Sequence, residues 1–265
     1  MYRIHAVVLR RRNLGESDRI LTVFSRELGK HRFVSKGVRR PGSKQAGHSE
    51  PFMISEFLLA RTRGLPIASQ AEVRRSFRNL RLDERAIATA SLIAERVDVF
   101  TAEDEAAVEV FDLLESSFDL LDQGTPPERV LLIFDVLMLG VAGFRPSLQT
   151  CIECGEPLAA VPNVFDFERG GLVCQSCAPR IPRGRVIPVE IQKLLRLIDR
   201  GEIGQILGVR TISELFHQAD ALIAEYISSV TGRDSMASRV IRELRLEYNY
   251  QDQSSEEEDH NELSG

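Results

Sequence analysis

Two similar cysteine pairs constrain this chain more than any other feature of its sequence. Cys151 and Cys154 form one C-x-x-C pair and Cys174 and Cys177 form the other, with nineteen residues between the pairs. Two residues between thiolates let both sulfurs of a tight turn reach one tetrahedral ion at about 2.3 Å. Gly155 follows the first pair, where such a turn tolerates a positive φ angle. The spacing therefore predicts one structural zinc ion with four cysteine ligands and no open position for water.

Two disulfides or a redox-active pair are the alternatives to a metal. The apolar stretch from Ile4 to Leu9 is too short for a secretory signal, and the run from Val130 to Phe144 is interrupted by Asp135 and falls short of a membrane span. The expected localisation is therefore cytoplasmic, without a membrane partner. A reducing compartment disfavours disulfides, and redox-active pairs normally occur singly near a βαβ pattern.

Catalytic signatures are missing from the sequence. It contains no G-x-x-x-x-G-K-[ST] phosphate loop, no H-E-x-x-H and no G-x-S-x-G. His48 and Glu50 match the H-x-E of zinc deaminases, but the next cysteine lies about a hundred residues further on and follows Thr150 instead of proline. We interpret His48 as a loop residue and the chain as non-enzymatic.

The net charge of −5 conceals a strong asymmetry along the chain. Residues 1–80 hold 17 Lys and Arg against 6 Asp and Glu, a net of +11, whereas the remaining residues hold 17 against 33, a net of −16. Such an asymmetry indicates a polyanionic partner for the first segment, and a merely solvated basic face is the alternative.

The first 75 residues alternate in a pattern typical of strands. The predicted strands are Tyr2–Arg11, Arg19–Ser25, His31–Val38, Phe52–Ala60 and, more weakly, Ile67–Val73. Turn residues separate them, including Gly15, Gly29 and the stretch from Gly37 to Gly47. Five short strands in this length predict a small barrel of the OB-fold type.

From Arg81 onward the apolar period becomes helical. The first predicted helix covers residues 82–100, the second follows a capping box at 101–104, and the third runs from Thr125, as its cap, to about Ala142. Three more are predicted: one that begins at Pro188, one after a cap at 211–214, and one over 235–248. Between the cysteine pairs, Val164–Phe167 and Leu172–Val173 flank a Gly-rich turn and predict a hairpin. The expected fold class is α+β: the barrel, then an all-α domain with an inserted zinc finger.

Basic residues of the barrel segment are the candidate nucleic-acid contacts. They are expected at strand ends or in loops, with Lys30, Arg32 and Lys36 on one strand face. Arginine predominates, and guanidinium pairs with phosphate or stacks on a base. Most of the six aromatic residues of this segment are expected in the core. The candidates are Arg10, Arg12, Lys30, Arg32, Lys36, Arg39, Arg40 and Lys44.

Several blocks of the sequence occur in a specific order and spacing. The blocks are Gly15–Arg19, Phe24–Lys30, Lys36–Arg40, Gly143–Leu148 running into Cys151–Gly155, and Gly170–Cys177. Together they resemble the RecO family of bacterial recombination mediators. The resemblance covers nearly the whole chain except the acidic end.

The resemblance implies an N-terminal OB-fold, a helical C-terminal domain and a zinc finger set into it. It also implies binding of single-stranded and double-stranded DNA, strand annealing, and help in loading RecA onto SSB-coated DNA. RecR and the C-terminal tail of SSB would be the partners, with RecA an indirect one, and the protein would associate with the nucleoid when on DNA.

The expected domains follow from the sequence patterns and from the family resemblance together. They are a basic OB-fold over 1–80, a helical domain over 81–149 and 179–250, a zinc finger over 150–178, and an acidic, disordered tail over 251–265. Two other functions stay open at this point: an RNA-binding or transcription accessory protein, and a zinc enzyme that acts on nucleic acid.

Overall fold

A closed five-stranded barrel forms the N-terminal part of the protein. The structure is a computed structural model that describes residues 1–43, 47–208 and 213–232. The strands are β1 (Tyr2–Leu14), β2 (Asp18–Ser25), β3 (Gly29–Ser35), β4 (Ile54–Ala60) and β5 (Ile67–Arg75). They close in the order β1-β2-β3-β5-β4, with only β3 and β5 parallel among the described pairs. The predicted OB-fold barrel is confirmed.

Strand β1 is longer than the sequence pattern predicts. It pairs with β2 as far as Leu14 opposite Asp18, after a register shift between Val8 and Arg10. In its first half, alternate residues such as Ile4 pack inside the barrel and others such as Val7 pack against the helices, whereas its second half is exposed. Arg10 and Arg12 therefore lie within a strand, and the expectation that they fall at a strand end or in a loop is wrong.

Helices and a small sheet follow the barrel. Helices α1 (Glu84–Phe100), α2 (Val108–Asp122) and α3 (Pro127–Val141) precede a three-stranded sheet, and α4 (Val189–Asp199), α5 (Ile203–Gly208) and α6 (Ser213–Thr231) follow it. The sheet has the order β7-β6-β8, from β6 (Asn163–Asp166), β7 (Gly171–Val173) and β8 (Arg185–Ile187). Strands β6 and β7 form the predicted hairpin; the sequence pattern did not predict β8 or α5.

The predicted capping box at residues 101–104 does not start a helix. Thr101 instead ends α1, because its N–H and its hydroxyl both donate to the Val97 carbonyl, at 3.1 and 2.6 Å. The next residues run along the barrel, where the Asp104 N–H donates to the Lys30 carbonyl at 2.8 Å. Helix α2 begins only at Val108. Pairing with the barrel thus outweighs the local capping signal.

Helix α3 lies between two cores. One set of its residues, including Phe134, packs with α1, α2 and the barrel's outer face. Another set, including Ile133, packs with α4, α6 and the small sheet. Asp135 of α3 is buried opposite the Nε of Arg96 of α1, at 3.3 Å. The predicted cap at Thr125 is wrong, because Pro126 precedes the first helical residue without a side-chain hydrogen bond to the helix.

Three expectations concern residues outside the described ranges. They are the cap residues Thr211 and Ile212, the helix over 235–248 and the acidic tail. Among the helices that the structure describes, none combines the length and the apolar character needed to cross a membrane.

Candidate metal centre and nucleic-acid interface

The four cysteines meet at one point between the small sheet and the loop that precedes it. Their sulfur atoms all lie within 4.8 Å of one another, and the sulfurs of Cys154 and Cys174 are 3.9 Å apart. Cys151 and Cys177 are buried, whereas Cys154 is exposed. Sulfurs bound tetrahedrally at about 2.3 Å would lie about 3.8 Å apart. The cluster therefore has the size and the donor set to hold one metal ion.

Backbone hydrogen bonds hold the two cysteine turns together. The Ile152 N–H donates to the Leu172 carbonyl at 3.0 Å, which joins the first turn to β7. The Cys174 N–H donates to the sulfur of Cys151 at 3.3 Å. Gly155 has a φ angle of +78°, as its position after the first pair predicts. The chain thus places the ligands through its backbone.

The same hydrogen bonds favour one thiolate in the cluster. Burial disfavours ionisation of Cys151, but N–H groups of Cys174, Cys154 and Glu153 outweigh it and lower the pKa of Cys151 to about 6. The hydrogen bond with Cys174, followed by burial, raises the pKa of Cys177 to about 12. Within the cluster, the first negative charge therefore falls on Cys151, whose thiolate the backbone donors stabilise.

A carboxylate and two arginines surround the first cysteine turn. Arg169 donates to Glu153 at 2.6 Å and to Asp166 at 2.9 Å, and Arg180 lies 3.5 Å from Glu153. The hydrogen bond from Arg169 lowers the pKa of Glu153. These contacts join the hairpin to the first turn independently of the cysteines.

Three predicted nucleic-acid contacts share the outer face of the barrel. Arg10 is paired with Thr22 on β2, and Thr22 with Arg32 on β3, so the three side chains form a row across the strands. Arg12 lies opposite Ile20 on the same face, because residues two apart on a strand point the same way. The row is partly neutralised: Arg10 pairs with Asp98 at 3.0 Å and Arg32 with Glu103 at 2.9 Å.

Lys30 lies on this face but is not exposed. Its side chain is 10% exposed, and its Nζ donates to the carbonyls of Asp98 and Thr101 at 2.8 and 2.7 Å. The Asp98 carboxylate is 3.2 Å away. These partners form the C-terminal end of α1, where a cation satisfies free carbonyls. The expected stripe of exposed cations therefore does not include Lys30.

Three of the remaining candidates follow β3 in a loop. Strand β3 ends at Ser35, so Lys36 lies in the loop and does not continue the predicted strand face. Lys36, Arg39 and Arg40 are exposed. None of them has a carboxylate within ion-pair distance among the residues that the structure describes. Lys44 lies outside the described ranges.

Sequence reasoning missed the residue that holds this loop. The Asp18 carboxylate accepts hydrogen bonds from the Gly37 N–H at 2.8 Å and the Ser17 hydroxyl at 3.0 Å. The Gly37 N–H, and secondly the Ser17 hydroxyl, lower the pKa of Asp18. The signal was present as a Ser-Asp pair after Gly15 in a turn, where short polar side chains often bond nearby backbone.

The aromatic residues of the barrel segment are mostly core, as expected. Phe33 and Phe57 pack inside the barrel, while Phe24, Phe52 and Phe77 pack against the helices. Tyr2 is half-buried, and its ring faces the Arg61 guanidinium at 5.5 Å. None of these six rings is an exposed platform for bases, so the barrel presents charge instead of stacking surface.

Comparison with known proteins identifies the family. The family model described as Recombination protein O N terminal matches residues 1–77, and the one described as Recombination protein O C terminal matches residues 81–239. The chain belongs to the RecO family. The suspected resemblance is confirmed, and a role in DNA repair follows for the family.

Curated relatives cover most of the chain. A DNA repair protein RecO of Desulforamulus reducens is 33% identical over 86% of this chain and 88% of its own. Those of Dehalococcoides mccartyi strain 195 and Bacillus velezensis are each 30% identical, over 89% and 94% of this chain and 93% and 96% of their own. The similarity therefore includes the barrel, the helices and the cysteine module.

Proposed function

We propose that this chain is a non-catalytic recombination mediator that binds single-stranded DNA and anneals complementary strands. It also assists the loading of RecA on SSB-coated DNA together with RecR, and it contacts double-stranded DNA and the C-terminal tail of SSB. Membership in the family supports this role. The observation that carries the DNA contact is the exposed set Arg12, Lys36, Arg39 and Arg40 on one end of the barrel.

Phosphate neutralisation explains both binding and annealing. Each phosphate contacted on a single strand releases about 0.7 counterion, so a cluster of cations binds without reading sequence. A strand neutralised in this way repels its complement less, which favours pairing without nucleotide hydrolysis. Because the phenylalanine rings of the barrel segment are buried and unavailable for stacking, phosphate contacts would carry the binding.

We further propose that the cysteine cluster holds one zinc ion with a structural role. Four thiolates in two C-x-x-C turns are the donor set that zinc prefers in closed sites. Cys151, Cys154, Cys174 and Cys177 would be the ligands. Their metal would stabilise the small sheet, and no catalytic residue is assigned.

Annealing of two labelled complementary oligonucleotides tests the proposed function. Protein without ATP and magnesium should accelerate pairing, and the double variant Arg39→Glu/Arg40→Glu should accelerate it much less. Arg183→Glu/Lys193→Glu is the matched control, because it changes the net charge equally at exposed positions of the C-terminal half. A need for ATP, or tighter binding of structured RNA than of single-stranded DNA, would contradict the proposal.

A further inference from the structure

Two sequence blocks of the barrel segment contact each other although they lie far apart along the chain. The turn between β1 and β2 contains Gly15 and Ser17, β2 begins at Asp18, and the loop after β3 contains Gly37 and Arg39. Besides the Asp18 contact with Gly37, the Arg39 N–H donates to the Ser17 carbonyl at 3.0 Å. The Arg39 Nη1 donates to the Gly15 carbonyl at 2.9 Å. The loop is therefore bound to the turn.

The Asp18 contact holds the loop at Gly37, whereas the other two hydrogen bonds hold it at Arg39. Gly37 has a φ angle of +65°, and the loop turns back there. The Arg40 N–H donates to the Gly37 carbonyl at 3.2 Å, and the Arg40 side chain lies over Gly37. Orientation of the Gly37 peptide therefore also sets the direction of Arg40. Among the residues that the structure describes, Asp18 alone reaches the Gly37 N–H through a side chain.

We propose that Asp18 is a positioning residue for nucleic-acid binding, which holds the loop of residues 36–40 so that Arg39 and Arg40 face phosphate together. This inference rests on the proposed function of the chain. A carboxylate beside cations that bind phosphate is otherwise unfavourable, because it repels the same polyanion. Its presence among Lys36 and Arg40 is explained by the hydrogen bond that it accepts.

Charge and positioning predict opposite results when Asp18 is replaced by alanine, and similar results when it is replaced by asparagine. Asp18→Asn keeps an oxygen that accepts from Gly37 and removes the negative charge, so binding of an oligo-dT strand should be equal or tighter. Asp18→Ala also removes the charge but loses the acceptor. We expect Asp18→Ala to bind about 3- to 10-fold more weakly than the wild type, the range for one lost ordering hydrogen bond. Faster amide exchange at Gly37 should accompany this loss.

The test is fluorescence anisotropy of labelled oligo-dT with the full chain and its variants. If both Asp18 variants bind more tightly than the wild type, charge alone acts and the inference is overturned. If Asp18→Ala lowers the thermal transition, Asp18→Asn decides at a temperature where both variants are folded, since it keeps an acceptor for the Gly37 N–H. Affinity equal to or above that of the wild type in Asp18→Asn supports the inference, and binding as weak as that of Asp18→Ala overturns it.

Inclusion of Arg39→Glu/Arg40→Glu separates this inference from the proposed function. If this double variant binds like the wild type, the DNA contact lies elsewhere and the proposed function of the loop fails. If it binds weakly while Asp18→Ala binds like Asp18→Asn, the loop contacts DNA but Asp18 does not position it.

Discussion

Replacement of Lys30 by methionine tests whether this lysine supports the fold instead of binding DNA. Methionine keeps most of the apolar stem and removes the ammonium. The change deprives the carbonyls of Asp98 and Thr101 of their charged donor, with contacts of 2.8 and 2.7 Å, in a site that is almost fully buried. Such hydrogen bonds contribute about 1.5–3 kcal/mol each, and stranded acceptors add to the loss.

We therefore expect Lys30→Met to lower the free energy of unfolding by about 3 kcal/mol. This value assumes that water replaces part of the two hydrogen bonds that the carbonyls lose. For a chain of this size the thermal midpoint should fall by about 6 to 12 °C. Urea unfolding followed by circular dichroism measures the first quantity, and a thermal scan measures the second.

Lys36→Met is the matched control, because Lys36 is exposed in the loop after β3. It should change stability by less than about 0.5 kcal/mol and should weaken binding of single-stranded DNA. Lys30→Met should show the reverse, with normal DNA affinity at a temperature where it is folded. A stability loss below about 1 kcal/mol in Lys30→Met, or a selective loss of its DNA affinity, would refute the assignment.

Three further predictions concern the metal centre, the contact between barrel and helices, and the loop anchor. Because we propose a zinc site, Cys154→Ser should contain less zinc than the wild type and have a lower thermal transition, with DNA affinity unchanged; metal analysis, a thermal scan and an anisotropy titration check these outcomes. Gly29→Ala should destabilise the fold by at least about 2 kcal/mol more than Gly124→Ala, measured by urea unfolding. Both glycines have positive φ, but a Cβ at Gly29 would lie 1.7 Å from the Glu105 carbonyl oxygen, whereas one at Gly124 meets nothing within 4 Å. Because the pKa of Asp18 is lowered in the folded state, its contribution should be complete above the usual Asp pKa and disappear as the pH falls through the lowered value. Titration of the Gly37 amide by NMR should follow that direction, and a transition near neutral pH would be inconsistent with it.

Periodic features of the sequence predicted most of the fold. Alternation located the five strands, and the cysteine spacing located the cluster of four cysteines, because both depend on geometry that repeats locally. The capping box at residues 101–104 failed for the opposite reason. Its backbone pairs with Lys30, which lies about seventy residues earlier, and local sequence does not encode that contact.

The charge pattern of the sequence did not predict which cations of the barrel are neutralised by nearby carboxylates. Lys30, Arg32 and Arg10 count equally toward a basic segment, yet the helical domain brings Asp98 and Glu103 against them. Only the fold distinguishes these neutralised cations from Arg39 and Arg40. Asp18 was missed because a count of charges shows an acidic residue in a basic segment only as a reduction of the net positive charge. Its role becomes visible only with its contact to Gly37.

The salt dependence of single-stranded DNA binding tests the central claim most directly. The affinity of the wild type, of Arg39→Glu/Arg40→Glu and of Arg183→Glu/Lys193→Glu is measured over a range of salt concentrations. Loss of two phosphate contacts should reduce the slope of log K against log salt by about 1.4 in the loop variant and leave it unchanged in the control. Equal slopes in the wild type and a folded loop variant would contradict the claim that this end of the barrel binds the DNA backbone.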